Sequence, residues 1–200
     1  SLYNNEDGLF FTDLSQPAGL GAHTLLGWGL AFLDADEDGW PDLLIANGHV
    51  YPEVARLTTG DRYLQKTLLY RNLGNGRFAD WTAEAGPAFA VERPSRGLAV
   101  GDLDGDGHPE AVIVNINAPP ALLKNTGPKQ NAVVIALEGT RSNRSAIGAE
   151  VRVDAGGPTQ VQQVTGGGSY RSEHARERTF GLGQAERVDR LRGRRPHGDA

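Results

Sequence analysis

Short apolar runs separated by Gly- and Asp-rich turns dominate the first two thirds of the chain. The clearest runs are Leu43–Ala46 and Ala111–Val114, and each is followed by a further run, at Leu68–Tyr70 and Ala121–Leu123. Short apolar runs of this kind, bounded by turn residues, are typical of buried strands. The pattern therefore predicts strands rather than helices.

The last third of the chain also has β-strand patterning. Ala132–Leu137 is an apolar run, and Ala149–Asp154 alternates between apolar and polar residues. Period-two alternation predicts a strand with one buried face. A Gly-Gly-Pro turn follows, so we expect Thr159–Thr165 to return as its hairpin partner. Arg187–Leu191 is a last, irregular strand candidate.

An internal repeat organises the first part of the chain. Leu2–Phe10 returns as Leu69–Phe78, and Gly29–Asp34 returns as Gly97–Asp102. A fixed period with matched turns and matched apolar runs indicates a repeat architecture. Short strands between Gly turns favour four-stranded β-propeller blades, and a propeller needs at least four blades to close. Residues 50–66 have no counterpart of equal length, so we expect a loop insertion with one helical turn.

Composition and charge narrow the classes of protein. With 27 glycines in 200 residues, the chain cannot be mostly helical, because Gly is a poor helix former. The net charge of −5 argues against a nucleic-acid binder, and no cysteine is present for disulfides or thiolate sites. No apolar run approaches the ~20 residues of a membrane-spanning helix. The chain starts at Ser1 without a visible signal peptide, so we expect a processed or excised piece.

Charge also divides the chain into two predicted domains. Residues 1–130 hold 9 basic and 17 acidic side chains, whereas residues 131–200 hold 11 basic and 8 acidic ones. The turn-rich stretch 125–131 would serve as the linker. We therefore predict two blades over 1–127 and a small β-domain over 128–200, in an all-β protein.

Two acidic segments carry the chemistry: the first loop, 34–42, and the second loop, 102–110. Both read D-x-D-x-D-G-x-P-[D/E]. Carboxylates at every second position converge only if the loop coils tightly, and a glycine at position 6, Gly39 or Gly107, permits the bend. Ca²⁺ takes six to eight oxygen ligands, and such a loop supplies them. The sequence therefore predicts two structural Ca²⁺ sites.

The expected ligands come from positions 1, 3, 5, 7 and 9, where position 7 offers its backbone carbonyl. They are Asp34, Asp36, Asp38, Trp40 and Asp42 in the first loop, and Asp102, Asp104, Asp106, His108 and Glu110 in the second. Because position 9 is Glu in the second loop, we expect the first loop to bind Ca²⁺ more tightly.

Two other interpretations compete with the Ca²⁺ sites. An EF-hand loop ends in a bidentate Glu at position 12, where this chain has Ile45 and Ile113. An EF-hand is also flanked by helices, whereas these loops lead into apolar β-type runs. Alternatively, Asp and Gly could occur only as good turn formers. Two copies at the repeat offset favour the ion over that alternative.

The segments 29–47 and 97–115 resemble FG-GAP (VCBS-type) repeats, which are Ca²⁺-binding blades of β-propellers. The C-terminal part resembles the ASPIC/UnbV domain at Gly139–Ala149, Gly168–Ser172, Phe180–Gly183 and Arg187–Leu191. The combination is similar to the C-terminal end of the cartilage acidic protein family. After Leu191 the family continues with an apolar strand, but here an Arg-rich stretch follows. We therefore expect the tail to be truncated, altered or unfolded.

The resemblance implies a secreted, extracellular or periplasmic binding or adhesion module with no enzyme activity. Its partners would be an unidentified protein or carbohydrate, with no nucleic acid, and remaining propeller blades or another copy of the chain. The alternative is an accessory segment of a secreted enzyme, for example one that acts on polysaccharides. A free acid pair for sugar hydrolysis would favour that alternative, but the dense acids already belong to the two loops.

No other group indicates catalysis. The histidines lack metal-ligand spacing, and we interpret them as surface or loop residues. Ser169 follows a run of three glycines but does not stand in a G-x-S-x-G motif. We interpret that run as a flexible or tightly turning loop rather than a phosphate cradle.

Overall fold

Strands make up nearly all of the regular structure in the computed structural model, which describes residues 1–21, 24–56, 60–141 and 143–194. The strands in chain order are β1 (Tyr3–Glu6), β2 (Phe10–Asp13), β3 (Gly27–Leu33), β4 (Asp42–Asn47), β5 (Gln65–Lys66), β6 (Leu68–Asn72), β7 (Phe78–Asp80), β8 (Glu92–Arg93), β9 (Ser95–Gly101), β10 (Glu110–Asn115), β11 (Ala118–Leu123), β12 (Asn131–Ile135), β13 (Glu150–Asp154), β14 (Gln160–Gln163), β15 (Arg178–Gly183) and β16 (Arg190–Arg194). Two short 3-10 helices, Pro52–Arg56 and Pro87–Ala90, complete the regular structure of the described residues. The predicted all-β class is confirmed.

The first unit is a four-stranded antiparallel sheet in the order β3-β4-β6-β7. Its central strand β4 is buried on both faces for most of its length, which explains its continuous apolar run. The predicted helical turn of the 50–66 insertion is the 3-10 helix Pro52–Arg56. Residues 57–59 of that insertion lie outside the described residues.

The second unit has three strands, in the order β11-β10-β9, so the expectation of four strands in this blade is wrong. After β11 the chain leaves through the 125–131 stretch into β12, which pairs with β15 instead of extending this sheet. The two units share one apolar core, in which Leu44 and Leu69 of the first sheet pack with Leu98 and Ile113 of the second. Strands β3 and β9, each at the edge of its sheet, lie next to each other.

The hairpin β1–β2 is the counterpart of β6–β7 in the sequence repeat. Where β6 pairs with β4 on one side and β7 on the other, β1 pairs only with β2 within the described residues. Leu9, Phe10 and Phe11 of this hairpin are 81%, 72% and 65% exposed. An unpaired strand edge beside exposed apolar side chains is unusual for a finished sheet surface.

The C-terminal part contains a two-stranded sheet, β12-β15, and a three-stranded sheet, β14-β13-β16. Its own apolar core is built around Val151, Val153 and Phe180. The last strand begins at Arg190 rather than Arg187 and pairs with β13 up to Arg194. An unfolded tail after Leu191 is therefore wrong as far as Arg194, and residues 195–200 lie outside the described ones.

Candidate metal centre

The two acidic loops occupy equivalent places in the two sheets. The first joins β3 to β4 and the second joins β9 to β10. Strand register sets the last position of each loop, because Asp42 is paired with Leu33 and Glu110 with Gly101. The side chain at position 9 is thereby brought back beside position 1.

Both loops make the sharp bend that the sequence predicts at position 6. Gly39 has a φ of 91° and Gly107 a φ of 90°, in a region of backbone conformation that favours glycine. In each loop the backbone N–H of this glycine donates to the carboxylate at position 1, at 2.9 Å from Asp34 Oδ2 and 2.9 Å from Asp102 Oδ2. The bend therefore wraps the loop around its first carboxylate.

Each loop gathers the carboxylates of positions 1, 3 and 9. One oxygen from each member lies within 4.8 Å of the others, and among the described residues these are the two groups with metal-binding geometry: Asp34, Asp36 and Asp42 in the first loop, and Asp102, Asp104 and Glu110 in the second. Sequence spacing alone thus identified six side chains that the fold brings together.

Positions 5 and 7 have a different arrangement. Asp38 Oδ1 accepts a hydrogen bond from the Trp40 N–H at 2.9 Å, and Asp106 Oδ1 accepts one from the His108 N–H at 3.0 Å. Neither Asp38 nor Asp106 belongs to its group of three. Ligation by these carboxylates, and by the carbonyls of Trp40 and His108, stays a prediction.

The first group is buried and electrostatically strained. Asp34 is 8% exposed and Asp42 is fully buried. Burial raises the pKa of each carboxyl to about 7, with the neighbouring acids adding to the rise and backbone hydrogen bonds from Gly39 and Asn72 opposing it. Burial and Asp38 also raise the pKa of Asp36. Asp34 Oδ1 and Asp36 Oδ1 are buried without a hydrogen-bond partner. These oxygens fit a hard divalent cation, which takes carboxylate ligands.

The second group is more open. Asp104 is exposed, and Asp102 is half-buried and accepts three backbone hydrogen bonds, from Gly105, Asp106 and Gly107. Glu110 is only 2% exposed. Its Oε2 accepts the Leu103 N–H at 2.9 Å, while its Oε1 is buried without a partner. The second group thus has one orphaned oxygen, against two in the first group. The weaker Ca²⁺ binding expected of the second loop stays a prediction.

A basic side chain that the sequence pattern missed contacts each loop. Arg71 Nη2 lies 2.6 Å from Asp36 Oδ2, and Lys124 pairs with Asp104. The registers make these positions equivalent, because Tyr70 is paired with Leu43 in one sheet and Leu123 with Ala111 in the other. The available signal was a basic residue directly after the apolar run of β6 and of β11. In the second loop, Lys129 also approaches Asp106, at 3.2 Å.

Glu37 connects the first loop to the rest of the molecule. This side chain, at position 4, is 1% exposed and its carboxylate lies against the His108 imidazole of the second loop. Its Oε2 accepts the Gln130 N–H at 2.8 Å, and its carbonyl accepts the Gly183 N–H at 2.9 Å. The sequence pattern gave no role to Glu37, yet it lies where both loops and the C-terminal sheets meet.

Comparisons with known proteins identify both parts of the chain. The model of the FG-GAP-like repeat matches residues 47–113, which include the second loop, and the model of the ASPIC and UnbV family matches residues 139–197. No curated protein shows significant similarity to the chain.

The matches agree with the geometry. FG-GAP repeats fit a β-propeller-type fold and are typical of extracellular proteins. In the described part of the chain, neither helix has the length or apolar character needed to cross a membrane. The first loop precedes the matched residues but repeats the sequence pattern of the second. The chain is an FG-GAP repeat protein with a C-terminal ASPIC/UnbV domain.

Proposed function

We propose that this chain is a calcium-stabilised, non-catalytic binding or adhesion module of a secreted or periplasmic protein. The observation that carries this proposal is the pair of three-carboxylate groups at equivalent positions of the two units. Each group holds at least one buried oxygen that no hydrogen bond satisfies: Asp34 Oδ1 and Asp36 Oδ1 in the first loop, and Glu110 Oε1 in the second. A buried carboxylate without a partner is costly, and a cation removes that cost.

The ion's role in this proposal is structural. Each loop joins two neighbouring antiparallel strands, so its ligands lie on both sides of one hairpin. Bound Ca²⁺ would neutralise the repulsion among carboxylates of the same loop. Backbone groups of the loops position those carboxylates. The Ala35 N–H donates to Asp42 Oδ2 at 3.1 Å, and the Leu103 N–H donates to Glu110 Oε2 at 2.9 Å.

We also propose that the two acidic loops do not catalyse a reaction. A glycosidase uses a pair of carboxylates that flank a sugar. In this chain the dense acids are gathered in the two loops, where each group of three carboxylates holds a buried oxygen without a hydrogen-bond partner. Such an arrangement suits ion binding better than proton transfer to a substrate.

Further propeller blades are the partner that the fold supports best. The hairpin β1–β2 is the repeat counterpart of β6–β7. One edge of β6 pairs with β4, whereas the equivalent edge of β1 has no partner strand within the described residues. We propose that a preceding blade, or another copy of the chain, covers this edge and the apolar side chains Leu9, Phe10 and Phe11. The ligand of the assembled module would be a protein or a carbohydrate.

Thermal unfolding with calcium and with EGTA tests the role of the ion. Extracellular Ca²⁺ modules bind with Kd of about 10⁻⁴ to 10⁻³ M, so 1 mM calcium stabilises by roughly 0.4–1.4 kcal/mol per site. In a domain of this size that gain raises Tm by a few degrees per site. Calorimetric titration should give two ions per chain. Asp36→Asn should remove one of them and part of the Tm gain.

Asp7→Asn is the matched control, since it makes the same charge change in an exposed turn and should keep both ions. If EGTA leaves the Tm unchanged, the ion does not stabilise the fold and the Asp and Gly residues of the loops serve only to form turns. A large rise in the binding of an apolar dye in EGTA, with the strand signal intact, would instead indicate a calcium switch.

A further inference from the structure

Residues 169–175 of the ASPIC/UnbV domain, here called the strap, run along the adjoining edges of β3 and β9. The Leu30 N–H donates to Ser169 Oγ at 2.7 Å, and the Leu98 N–H donates to Ser172 Oγ at 2.9 Å. The Val100 N–H donates to His174 Nδ1 at 3.3 Å. Each of these bonds joins residues at least 74 positions apart in the chain.

These three donors are the ones that an edge strand leaves open. Within the described residues, β3 pairs only with β4 and β9 pairs only with β10. Backbone groups on the other side of an edge strand need partners, because an unpaired edge invites pairing with another chain. The strap supplies side-chain acceptors, and it adds one backbone bond, from the Ala175 N–H to the Val100 carbonyl at 2.8 Å.

The two blades are also shaped to receive the strap. A Cβ at Gly101 would lie 2.6 Å from Ala175 Cβ, and a Cβ at Gly97 would lie 3.0 Å from Ser172 Oγ. The Tyr170 ring lies 4.9 Å from the Trp28 ring in a tilted arrangement. Contacts therefore continue along the whole segment, on both blades.

We propose that the strap is a pH-sensitive latch that holds the ASPIC/UnbV domain on the two blades and loosens when His174 is protonated. The geometry requires a neutral imidazole, because Nδ1 accepts the Val100 N–H. An imidazolium carries hydrogen on both ring nitrogens, so a donor would then face a donor. This inference does not depend on the proposed calcium sites.

The surroundings set the direction of the response. Burial and the Arg178 guanidinium lower the pKa of His174, while a hydrogen bond with the Leu30 backbone opposes that shift. The ordinary pKa of histidine is about 6.5, so the latch is complete above that pH and weakens as the pH falls below it. The ionisable side chains that line the same cavities as His174 are Asp34, Glu173, Arg176, Glu177 and Arg178.

Amide hydrogen exchange of the whole chain tests the latch directly. The readout is the protection factor of the Leu30, Leu98 and Val100 amides at pH 7.5 and pH 5, corrected for the intrinsic exchange rate. In the wild-type protein we expect a loss of about tenfold on acidification at these amides. The Val112 amide of the central strand β10 reports global unfolding and should keep its protection.

Substitutions at His174 separate the latch from general acid sensitivity. His174→Gln keeps an acceptor for the Val100 N–H but cannot titrate, so its protection should stay high at both pH values. His174→Ala should have low protection at both. His49→Gln is the matched control, because His49 Nδ1 accepts the Tyr51 N–H within its own turn, at 3.2 Å. It should respond to pH as the wild type does.

A disulfide provides a second test that does not rely on the His174 variants folding. The chain has no cysteine, so Gly97→Cys with Ser172→Cys creates a single pair at the close contact described above. In the oxidised double variant the acid-induced loss at Val100 should disappear, and reduction should restore it. The latch is refuted if wild-type protection is the same at both pH values, or if His174→Gln loses protection as the wild type does.

Discussion

Replacing Gly181 by Ala should undo the contact between strand β15 and the first loop. A Cβ at this position would lie 2.2 Å from Asp34 Oδ2 and 2.6 Å from Glu37 Cα, and real Cβ atoms essentially never come closer than 3.0 Å to such neighbours. The Asp34 side chain can rotate, but the Glu37 backbone cannot yield without moving the loop. The variant must therefore distort the loop or separate it from β15.

The expected loss of stability follows from this overlap. Inserting extra volume into a well-packed site costs about 1–3 kcal/mol, and the backbone contact places Gly181→Ala near the upper limit. At about 2–4 °C per kcal/mol for this size of domain, Tm should fall by about 6–12 °C. Because Asp34 is displaced, the first loop should also lose Ca²⁺ affinity by about tenfold, while the second loop keeps its own.

Thermal unfolding in calcium measures the first effect, and terbium emission sensitised by Trp40 reports ion binding in the first loop. Gly157→Ala is the matched control, since a Cβ there meets nothing within 4 Å, and it should melt within about 2 °C of the wild type. If Gly181→Ala melts together with this control and binds terbium equally well, the packing of β15 against the first loop is wrong.

Two further predictions concern the charges around the first loop. The pKa values of Asp34 and Asp42 are about 7 without the ion, so protons compete with Ca²⁺ for these carboxylates. Calcium affinity measured by calorimetric titration should therefore fall by about tenfold per carboxylate from pH 8 to pH 6. An equal calcium affinity at the two pH values would contradict the buried, protonatable pair. Arg71→Gln removes a cation 2.6 Å from Asp36 Oδ2, so calcium binding should strengthen by up to about fivefold while Tm in EGTA falls. The control Arg77→Gln, at an exposed turn, should change neither, and weaker binding in Arg71→Gln would show that Arg71 organises the site instead.

Local patterning was sufficient to predict the strands and the loops. The runs at Leu43–Ala46 and Ala111–Val114 became central strands: β4 is buried along most of its length, and Ala111 and Ile113 of β10 lie in the core that the two units share. Spacing within nine residues placed Asp34, Asp36 and Asp42 together, since two strands in fixed register leave the loop little freedom. Features that depend on residues close together in the sequence could therefore be predicted.

Long-range contacts were not readable in the same way. The sequence pattern gave no role to Glu37, and His174 was interpreted as a surface or loop histidine. Their partners, His108, Gln130 and Val100, are 71, 93 and 74 residues away. No periodicity encodes such pairs, because they arise only when separate sheets pack against each other. The three-stranded second blade has the same origin, since the competing sheet partner of β12 lies in the C-terminal domain.

The close contact between Glu37 and His108 means that the two repeats cannot be exchanged for each other. Position 4 is Glu in the first loop and Gly105 in the second, while position 7 is Trp40 in the first and His in the second. Each loop thus supplies one of the two side chains of a contact between the loops. Exchanging the loops, or averaging them into one consensus repeat, would conserve every acidic position of the shared motif and still delete the contact. The order of the two units along the chain is therefore set by residues at the variable positions of the motif, Glu37 and His108.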